Sequence, residues 1–229
     1  MKINKELRLT SHISSWLAPT LHGTASDNDP RMMEVRDKIL LRDDYTCHYC
    51  GFKSLEHQEI HHFNHNHDDF NEKNLTTVCP LCHQVFHLST CSQSTGGSII
   101  VLKDISQVEL NNLCRMLFVA RASGIKEWVN VSKQIYDTLR STITIIDQQI
   151  SPNGSEPMIF AQTLHNLSET VLNEEHMKSF KLLPKYNRFE KQVEYWRDNV
   201  FKDLPVEKWR SLIPTTIDVD EIERNIKLK

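Results

Sequence analysis

Two C-x-x-C pairs constrain the fold of this chain more than any other feature of its sequence. Cys47 and Cys50 form the first pair, and Cys79 and Cys82 form the second. A C-x-x-C turn places two thiolates at one vertex, and two such turns complete the tetrahedral four-sulfur site of a structural zinc ion. The segment 51–78 leaves room for two strands and a loop. The sequence therefore predicts a small module built around one Zn²⁺ ion.

Four buried cysteines without metal, or two disulfides, are the alternatives to zinc. The segment from Met1 to Trp16 lacks the apolar core of a signal peptide, and no apolar run approaches the length of a membrane span. We therefore expect a cytoplasmic protein, and a reducing compartment favours metal ligands over disulfides. Of the other two cysteines, Cys114 lies on an apolar helical stripe and is expected in the core, and Cys91 is assigned no role.

Composition limits the class of protein. The chain has 229 residues, of which 39% are hydrophobic and 25% charged, and its net charge is −3. These are ordinary values for a globular protein with one small module and a larger part. A protein that coats nucleic acid is usually basic, so the net charge argues against that class. The net charge does not exclude a local basic patch.

The chain divides into four regions. Residues 1–42 are predicted to form a strand over 3–10 and a helix over 31–42, with Asp29 as its cap and Pro30 as its first position. Residues 43–90 are the zinc-binding module, residues 98–203 a helical region and residues 204–229 a C-terminal tail. Within the helical region, Ser106 and Glu109 form a capping box. The other predicted elements are a strand over 98–102 and helices after Ser106, over 128–146, over 157–172 and from Pro184 onwards.

Histidines surround the second cysteine pair. The order is C-x-x-C, then His61 and His62, then Asn74, then C-x-x-C followed by His83 and His87. Over residues 43–88 this order resembles the HNH nuclease motif, a ββα-metal module of treble-clef type. The resemblance implies His62 as the general base, Asn74 as a hydrogen-bonding residue, and His61 with His83 or His87 as ligands of a second divalent metal.

Each of these residues also has a plainer interpretation. His65 and His67 stand among polar residues and are expected to be solvated. His87 can pack against the second C-x-x-C turn. Asn74 can serve as a turn residue that connects the loop to the helix carrying the second cysteine pair. The sequence thus leaves open both a working nuclease and a fold retained without turnover.

A second resemblance runs from about residue 31 to 201. It is carried by the order and spacing of short motifs: Arg42–Cys47, Cys50–Phe52, Asn74–Leu75, Val78–Cys79, Glu109–Cys114, Ile135–Tyr136, Ile159–Phe160 and Leu182–Pro184. In that order they resemble the IcmJ/DotN family of bacterial type IVB (Dot/Icm) secretion systems. The four zinc cysteines of that family carry over to Cys47, Cys50, Cys79 and Cys82.

This family resemblance implies a cytoplasmic zinc-binding subunit of the coupling complex. Such a scaffold would dock the C-terminal extension of the coupling ATPase beside other subunits, and would reach the inner membrane through these partners without inserting into it. His61, His62, His83 and His87 depart from what a scaffold needs and keep the alternative open, a metal-dependent HNH endonuclease acting on DNA. The expected fold is α+β, a zinc module with several packed helices.

Overall fold

The computed structural model describes residues 6, 7, 9, 30–88, 91, 96–166 and 177–212. Within these ranges the chain forms two separate two-stranded antiparallel sheets with helices packed on both, so the α+β prediction is confirmed. Residues 6, 7 and 9 are not in a strand. The rest of the predicted N-terminal strand, the Asp29 cap, and residues 213–229 of the predicted tail lie outside the described residues.

The first sheet belongs to the cysteine-containing module. Helix α1 spans Pro30–Arg42, as predicted, and is followed by strands β1, Glu59–His62, and β2, Leu75–Val78. Glu59 pairs with Val78 and His62 with Leu75. A short helix α2, Pro80–His83, and a 3₁₀ turn over Gln84–Phe86 follow. The predicted order of two strands and a helix is present, and its assignment to the HNH or treble-clef class stays a prediction.

Arg42 and Asp43 attach the end of α1 to this sheet. The Arg42 guanidinium donates to the backbone carbonyls of Glu72 over 2.6 Å and Leu75 over 2.8 Å. The Asp43 carboxylate accepts the Thr77 N–H over 2.8 Å. Burial raises the pKa of Asp43, but the hydrogen bonds from Arg42 and Thr77 lower it by more, so the pKa lies below its ordinary value. The ionised carboxylate thus fixes β2 directly before the second cysteine pair.

The second part of the chain surrounds the other sheet. Strand β3, Gly97–Val101, pairs antiparallel with β4, Phe180–Pro184. The helices are α3, Gln107–Ala122; α4, Lys126–Ser141; α5, Ile143–Gln149; α6, Pro157–Asn166; and α7, Glu190–Tyr195, with a π turn over Trp196–Val200 and a 3₁₀ helix over Val206–Leu212. The predicted capping box is confirmed, since Ser106 and Glu109 bond to each other's backbone N–H groups.

Two helix predictions are wrong in ways that the structure explains. The single helix predicted over 128–146 is broken at Thr142, whose hydroxyl accepts the Val101 N–H over 3.3 Å and donates to the Leu139 carbonyl over 3.1 Å. The long helix predicted from Pro184 does not begin there, because Pro184 ends β4 opposite Gly97. Pairing with a distant strand overrides the local preference of proline for the start of a helix.

One hydrophobic core joins the cysteine module to the helical region. Its buried members include Val78 and Leu81 from the module, Leu110 from α3, Leu182 from β4 and Trp196 from the π turn. A smaller cluster forms between α1 and the first sheet. The regions divided by sequence at residues 90 and 98 therefore share one packed interior. No helix in the described ranges has the length and apolar character of a membrane span.

Candidate metal centre

The first cysteine pair lies in a tight turn shortly after α1. The Cys47 N–H donates to the Phe52 carbonyl over 2.9 Å, and the Gly51 N–H donates to the Cys47 carbonyl over 3.0 Å. Gly51 has a φ of 70°, a left-handed conformation that glycine adopts without steric penalty. The turn therefore depends on glycine directly after Cys50.

The second pair begins α2. The Cys79 carbonyl accepts the N–H groups of Cys82 over 3.0 Å and His83 over 2.9 Å. Pro80 occupies the first helical position, where a missing N–H loses no helical hydrogen bond. The local sequence Cys-Pro-Leu-Cys thus specifies the helical turn that carries the second pair of thiols.

The four thiols converge on one point. Their sulfur atoms all lie within 4.8 Å of one another, and the Cys50 and Cys79 sulfurs are 3.6 Å apart. A disulfide needs about 2.05 Å, and all six cysteines are free, so the disulfide alternative is wrong. Zinc with Zn–S bonds of about 2.3 Å in tetrahedral geometry needs sulfurs about 3.8 Å apart. The donor set therefore fits a metal ion.

Crowding changes the acidity of these thiols in opposite directions. The pKa of Cys50 falls far below its ordinary value because the Cys47, Cys79 and Cys82 thiols hydrogen-bond to it and the charge of Arg115 lies nearby. The pKa of Cys79 rises because it is buried and because it hydrogen-bonds to Cys47 and Cys50. A divalent cation bound by all four sulfurs would replace the protons that they share.

Three histidines form a second cluster. His61 comes from β1, His83 ends α2, and His87 follows the 3₁₀ turn, and one ring nitrogen of each lies within 4.8 Å of the others. The Nε2 atoms of His83 and His87 are 3.1 Å apart. A Glu59 carboxylate oxygen lies 2.6 Å from His83 Nδ1, and such a contact fixes the ring of a metal-binding histidine. The structure thus brings together the three predicted ligands of a second metal.

Burial keeps two of these rings neutral. The pKa of His61 is lowered by burial and then by the charge of His83, and the pKa of His87 is lowered strongly by the same two causes. Neutral imidazole is the form that binds a metal ion. The cluster therefore needs no deprotonation of these rings near neutral pH.

His62 is not part of this cluster. Its ring packs against His67 at 4.9 Å and Phe70 at 6.0 Å between centroids, whereas the His61 ring stacks on Phe86 at 4.3 Å. Only 2% of its surface is exposed, and neither ring nitrogen has a hydrogen-bond partner among the described residues. Burial, with the charge of His67, lowers its pKa to about 4. The role of His62 as a general base stays a prediction.

The loop between β1 and β2 differs in part from expectation. His65 and His67, predicted to be solvated, are half-buried, and their rings lie 5.3 Å from His61 and 5.7 Å from His87, respectively. Asn74 accepts the Asn64 N–H and donates to the Asp69 carbonyl, each over 3.0 Å. Asn74 therefore holds this loop in place, and its predicted part in catalysis stays a prediction.

Comparison with known proteins gives a relative that matches most of the chain. No protein-family model matches the chain. The chain is 29% identical over 205 residues to the Type 4 apparatus protein DotN of Legionella pneumophila, and the match covers 87% of this chain and 92% of DotN. The extent of this similarity supports the resemblance to the IcmJ/DotN family. A match of this extent includes residues from both the cysteine module and the helical region.

Two side chains of α3 reach the cysteine cluster, and sequence reasoning missed both. Arg115 Nη2 donates to the sulfurs of Cys79 over 3.2 Å and Cys50 over 3.5 Å. Asn111 Nδ2 donates to the Leu81 carbonyl over 3.1 Å and approaches the Cys82 sulfur at 3.5 Å. Side chains of α3 thus contact three of the four sulfurs.

A signal for these contacts was present in the sequence. Gln107, Asn111 and Arg115 recur every four residues along α3 beside the apolar stripe, and all three are buried. Residues four apart share one helix face. A polar row at the edge of an apolar stripe indicates buried hydrogen bonds, and here the row links the cysteine module to β4, since Gln107 also bonds to Leu182.

Proposed function

We propose that this chain is a zinc-binding subunit of a type IVB (Dot/Icm) secretion apparatus, and that it serves as a scaffold in the coupling complex. The observation that carries the proposal is the similarity to DotN along nearly the whole of both chains. A scaffold of this kind needs a rigid folded body and an exposed surface that takes a partner segment. It works on the cytoplasmic side and reaches the inner membrane through its partners.

Zinc is the ion that the cysteine cluster suits best. Four thiolates are soft ligands, and four-coordinate thiolate sites favour zinc among the divalent metals available for structural roles. Cys47, Cys79 and Cys82 have no exposed surface, which suits a closed structural site rather than one with an open coordination position. The ion would stabilise residues 43–88, since structural zinc contributes about 10 kcal/mol in zinc-finger peptides.

Metal analysis tests the zinc assignment. We expect one zinc per chain from this site, and we expect chelation or Cys79→Ser to unfold residues 43–88, detected by rapid proteolysis there. Cys114→Ala is the matched control, because Cys114 is buried outside the cluster. If Cys79→Ser kept both its zinc and its resistance to protease, the four-cysteine assignment would be wrong.

A groove beside α4 supports the docking role. The cavity measures about 740 Å³ and is lined by aromatic rings from Phe118, Tyr136 and Tyr186. Four cationic side chains and two carboxylates also line it: Arg121, Lys133, Arg140, Lys185, Asp137 and Glu156. On a chain of net charge −3, this excess of cations marks a surface suited to an acidic segment with an apolar anchor. We assign the C-terminal segment of the coupling ATPase to this groove.

Binding of that segment tests the docking proposal. We expect the immobilised chain to retain the C-terminal segment of the coupling ATPase at micromolar concentration. Replacing Lys133 and Arg140 with Glu should weaken retention about tenfold or more, because two attractive charges become repulsive. Lys38→Glu on α1 is the control, since Lys38 is exposed and does not line the groove. Failure of the unaltered chain to retain the segment would count against the proposal.

The histidine cluster favours a second candidate function, a metal-dependent HNH endonuclease. His61, His83 and His87 would hold a divalent cation that neutralises charge on a phosphodiester, with Glu59 orienting His83. In this hypothesis His62 activates the attacking water. The burial of His62 and its contacts with His67 and Phe70 oppose that role unless the loop over residues 63–74 moves.

Plasmid nicking separates the two candidates. A nuclease would nick plasmid DNA with Mg²⁺ or Mn²⁺, would bind a second ion per chain, and would lose activity in His62→Ala and His83→Ala without unfolding. His57→Asn is the control, because His57 lies outside both clusters and has a φ of 64° that Asn tolerates. Equal cleavage by the unaltered chain and His62→Ala would exclude the proposed mechanism.

A further inference from the structure

Arg115 occupies an unusual position for a permanently charged side chain. It is 4% exposed. Its guanidinium lies 3.9 Å above the Phe52 ring, and Nη1 donates to Asn112 over 2.6 Å. Its Nε has no hydrogen-bond partner among the described residues. The guanidinium also lies 5.6 Å from the centre of the Trp196 ring, and its Nη2 donates to the sulfurs of Cys50 and Cys79.

The charges at this site explain why a buried cation is stable there. Four thiolates around one divalent cation carry a net charge of about −2. A buried anion of that size is costly unless a nearby cation compensates it. Arg115 approaches two of the four sulfurs within 3.5 Å and halves the local excess charge. Conversely, loss of the thiolates would leave Arg115 as a buried cation without an anionic partner.

We propose that Arg115 is a positioning residue of the metal centre, and that its charge slows the attack of the metal-bound sulfurs of Cys50 and Cys79 on electrophiles and slows release of the ion. The inference rests on the zinc site proposed above. A hydrogen bond to a thiolate withdraws electron density from sulfur and makes it a weaker nucleophile. Because Arg115 belongs to α3, the helical region thereby controls the chemical stability of the cysteine module.

N-ethylmaleimide is the probe for this reactivity. The sulfur attacks the alkene carbon, a C–S bond forms as the Zn–S bond breaks, and the resulting enolate takes a proton from water. Zinc that leaves the site is counted with a chromogenic chelator. The measured rate therefore reports how nucleophilic the bound sulfurs are, which a purely structural role of Arg115 would leave unchanged in a folded variant.

Three variants of the full zinc-loaded chain decide the matter. Arg115→Gln removes the charge, and we expect zinc release about tenfold faster, the lower end of the effect of outer-shell partners. Arg115→Lys keeps the charge and should release zinc within about twofold of the unaltered chain. Arg197→Gln is the control, because the Arg197 side chain bonds to Asp198 over 2.6 Å and to the Ala122 carbonyl over 2.7 Å rather than to the sulfurs. Its release rate should not change.

Each result has a distinct meaning. Zinc release from a folded Arg115→Gln variant at the rate of the unaltered chain would overturn the inference while leaving the zinc site intact. An unaltered chain without zinc would instead refute the zinc proposal itself. If Arg115→Gln did not fold, Arg115→Lys would decide, since the proposed role is that of a charge. Release from Arg115→Lys ten times faster than normal would then overturn it.

Discussion

The buried amide of Asn111 gives the sharpest test of how the helical region stabilises the cysteine module. Asn111 has no exposed surface. It donates to the Leu81 carbonyl over 3.1 Å, and its Oδ1 accepts Gln107 Nε2 over 2.9 Å. Asn111→Ala removes both bonds. It leaves a carbonyl and an N–H without this partner inside the core, and creates a small cavity.

The magnitude follows from the number of partners lost. Each buried polar group left without its partner costs about 1–3 kcal/mol, so two groups lower the free energy of unfolding by about 3 kcal/mol. For a chain of this size, that corresponds to a fall in Tm of about 6–12 °C. Asn111→Asp should cost more, because it would bury a carboxylate 3.5 Å from the Cys82 sulfur.

Urea unfolding of the metal-loaded chain measures this change, with the fluorescence of the buried Trp196 as one reporter. Asn199→Ala is the matched control, since the Asn199 amide donates to the Tyr195 carbonyl over 3.1 Å but is exposed. That variant should stay within about 0.5 kcal/mol of the unaltered chain. If Asn111→Ala matched Asn199→Ala, the inferred network between α3 and the module would contribute nothing to stability.

Three further outcomes follow from particular contacts. His62 has a pKa of about 4 in the folded chain and about 6.5 when unfolded. As pH falls, the unfolded chain therefore takes up the proton at a higher pH than the folded chain does. Stability should decline between about pH 6.5 and 4 by about 2 kcal/mol, and His62→Leu should reduce that decline in urea titrations at several pH values. Asp43→Ala removes the acceptor of the Thr77 N–H and should lower the free energy of unfolding by about 2 kcal/mol, measured by urea unfolding. Gly97→Ala would place a Cβ 2.6 Å from the Leu183 carbonyl and should lower Tm by several degrees in calorimetry, at a cost of about 1–3 kcal/mol.

Local patterns in the sequence predicted the parts of the fold that depend on neighbouring residues. Ser106 and Glu109 cap α3 because both partners lie within one helical turn. The C-x-x-C pairs specify their own turns, so four sulfurs could be assigned to one site. Pro184 was misassigned because β4 exists through pairing with Gly97–Val101, which lies far away in the chain.

In the histidine site, too, some features follow from neighbouring residues and others depend on distant parts of the chain. His61 and His62 are adjacent on β1, and adjacent residues of a strand point to opposite faces, so their separation could have been predicted from the strand alone. The meeting of His61 with His83 and His87 depends on how α2 packs against β1. The contact of Arg115 with Cys50 joins residues 65 positions apart, and no local pattern specifies such a partner.

The burial of the cysteine cluster beneath α3 bears on how the protein is made. Cys47, Cys79 and Cys82 have no exposed surface in the finished fold, and α3 follows them in the chain. Because synthesis proceeds from the N-terminus, these cysteines leave the ribosome while their sulfurs are still open to ions. Once α3 packs, only the half-buried Cys50 keeps part of its surface open to solvent, so we expect an ion to exchange more slowly. We therefore expect the ion to bind most readily during synthesis, before α3 covers the cysteines.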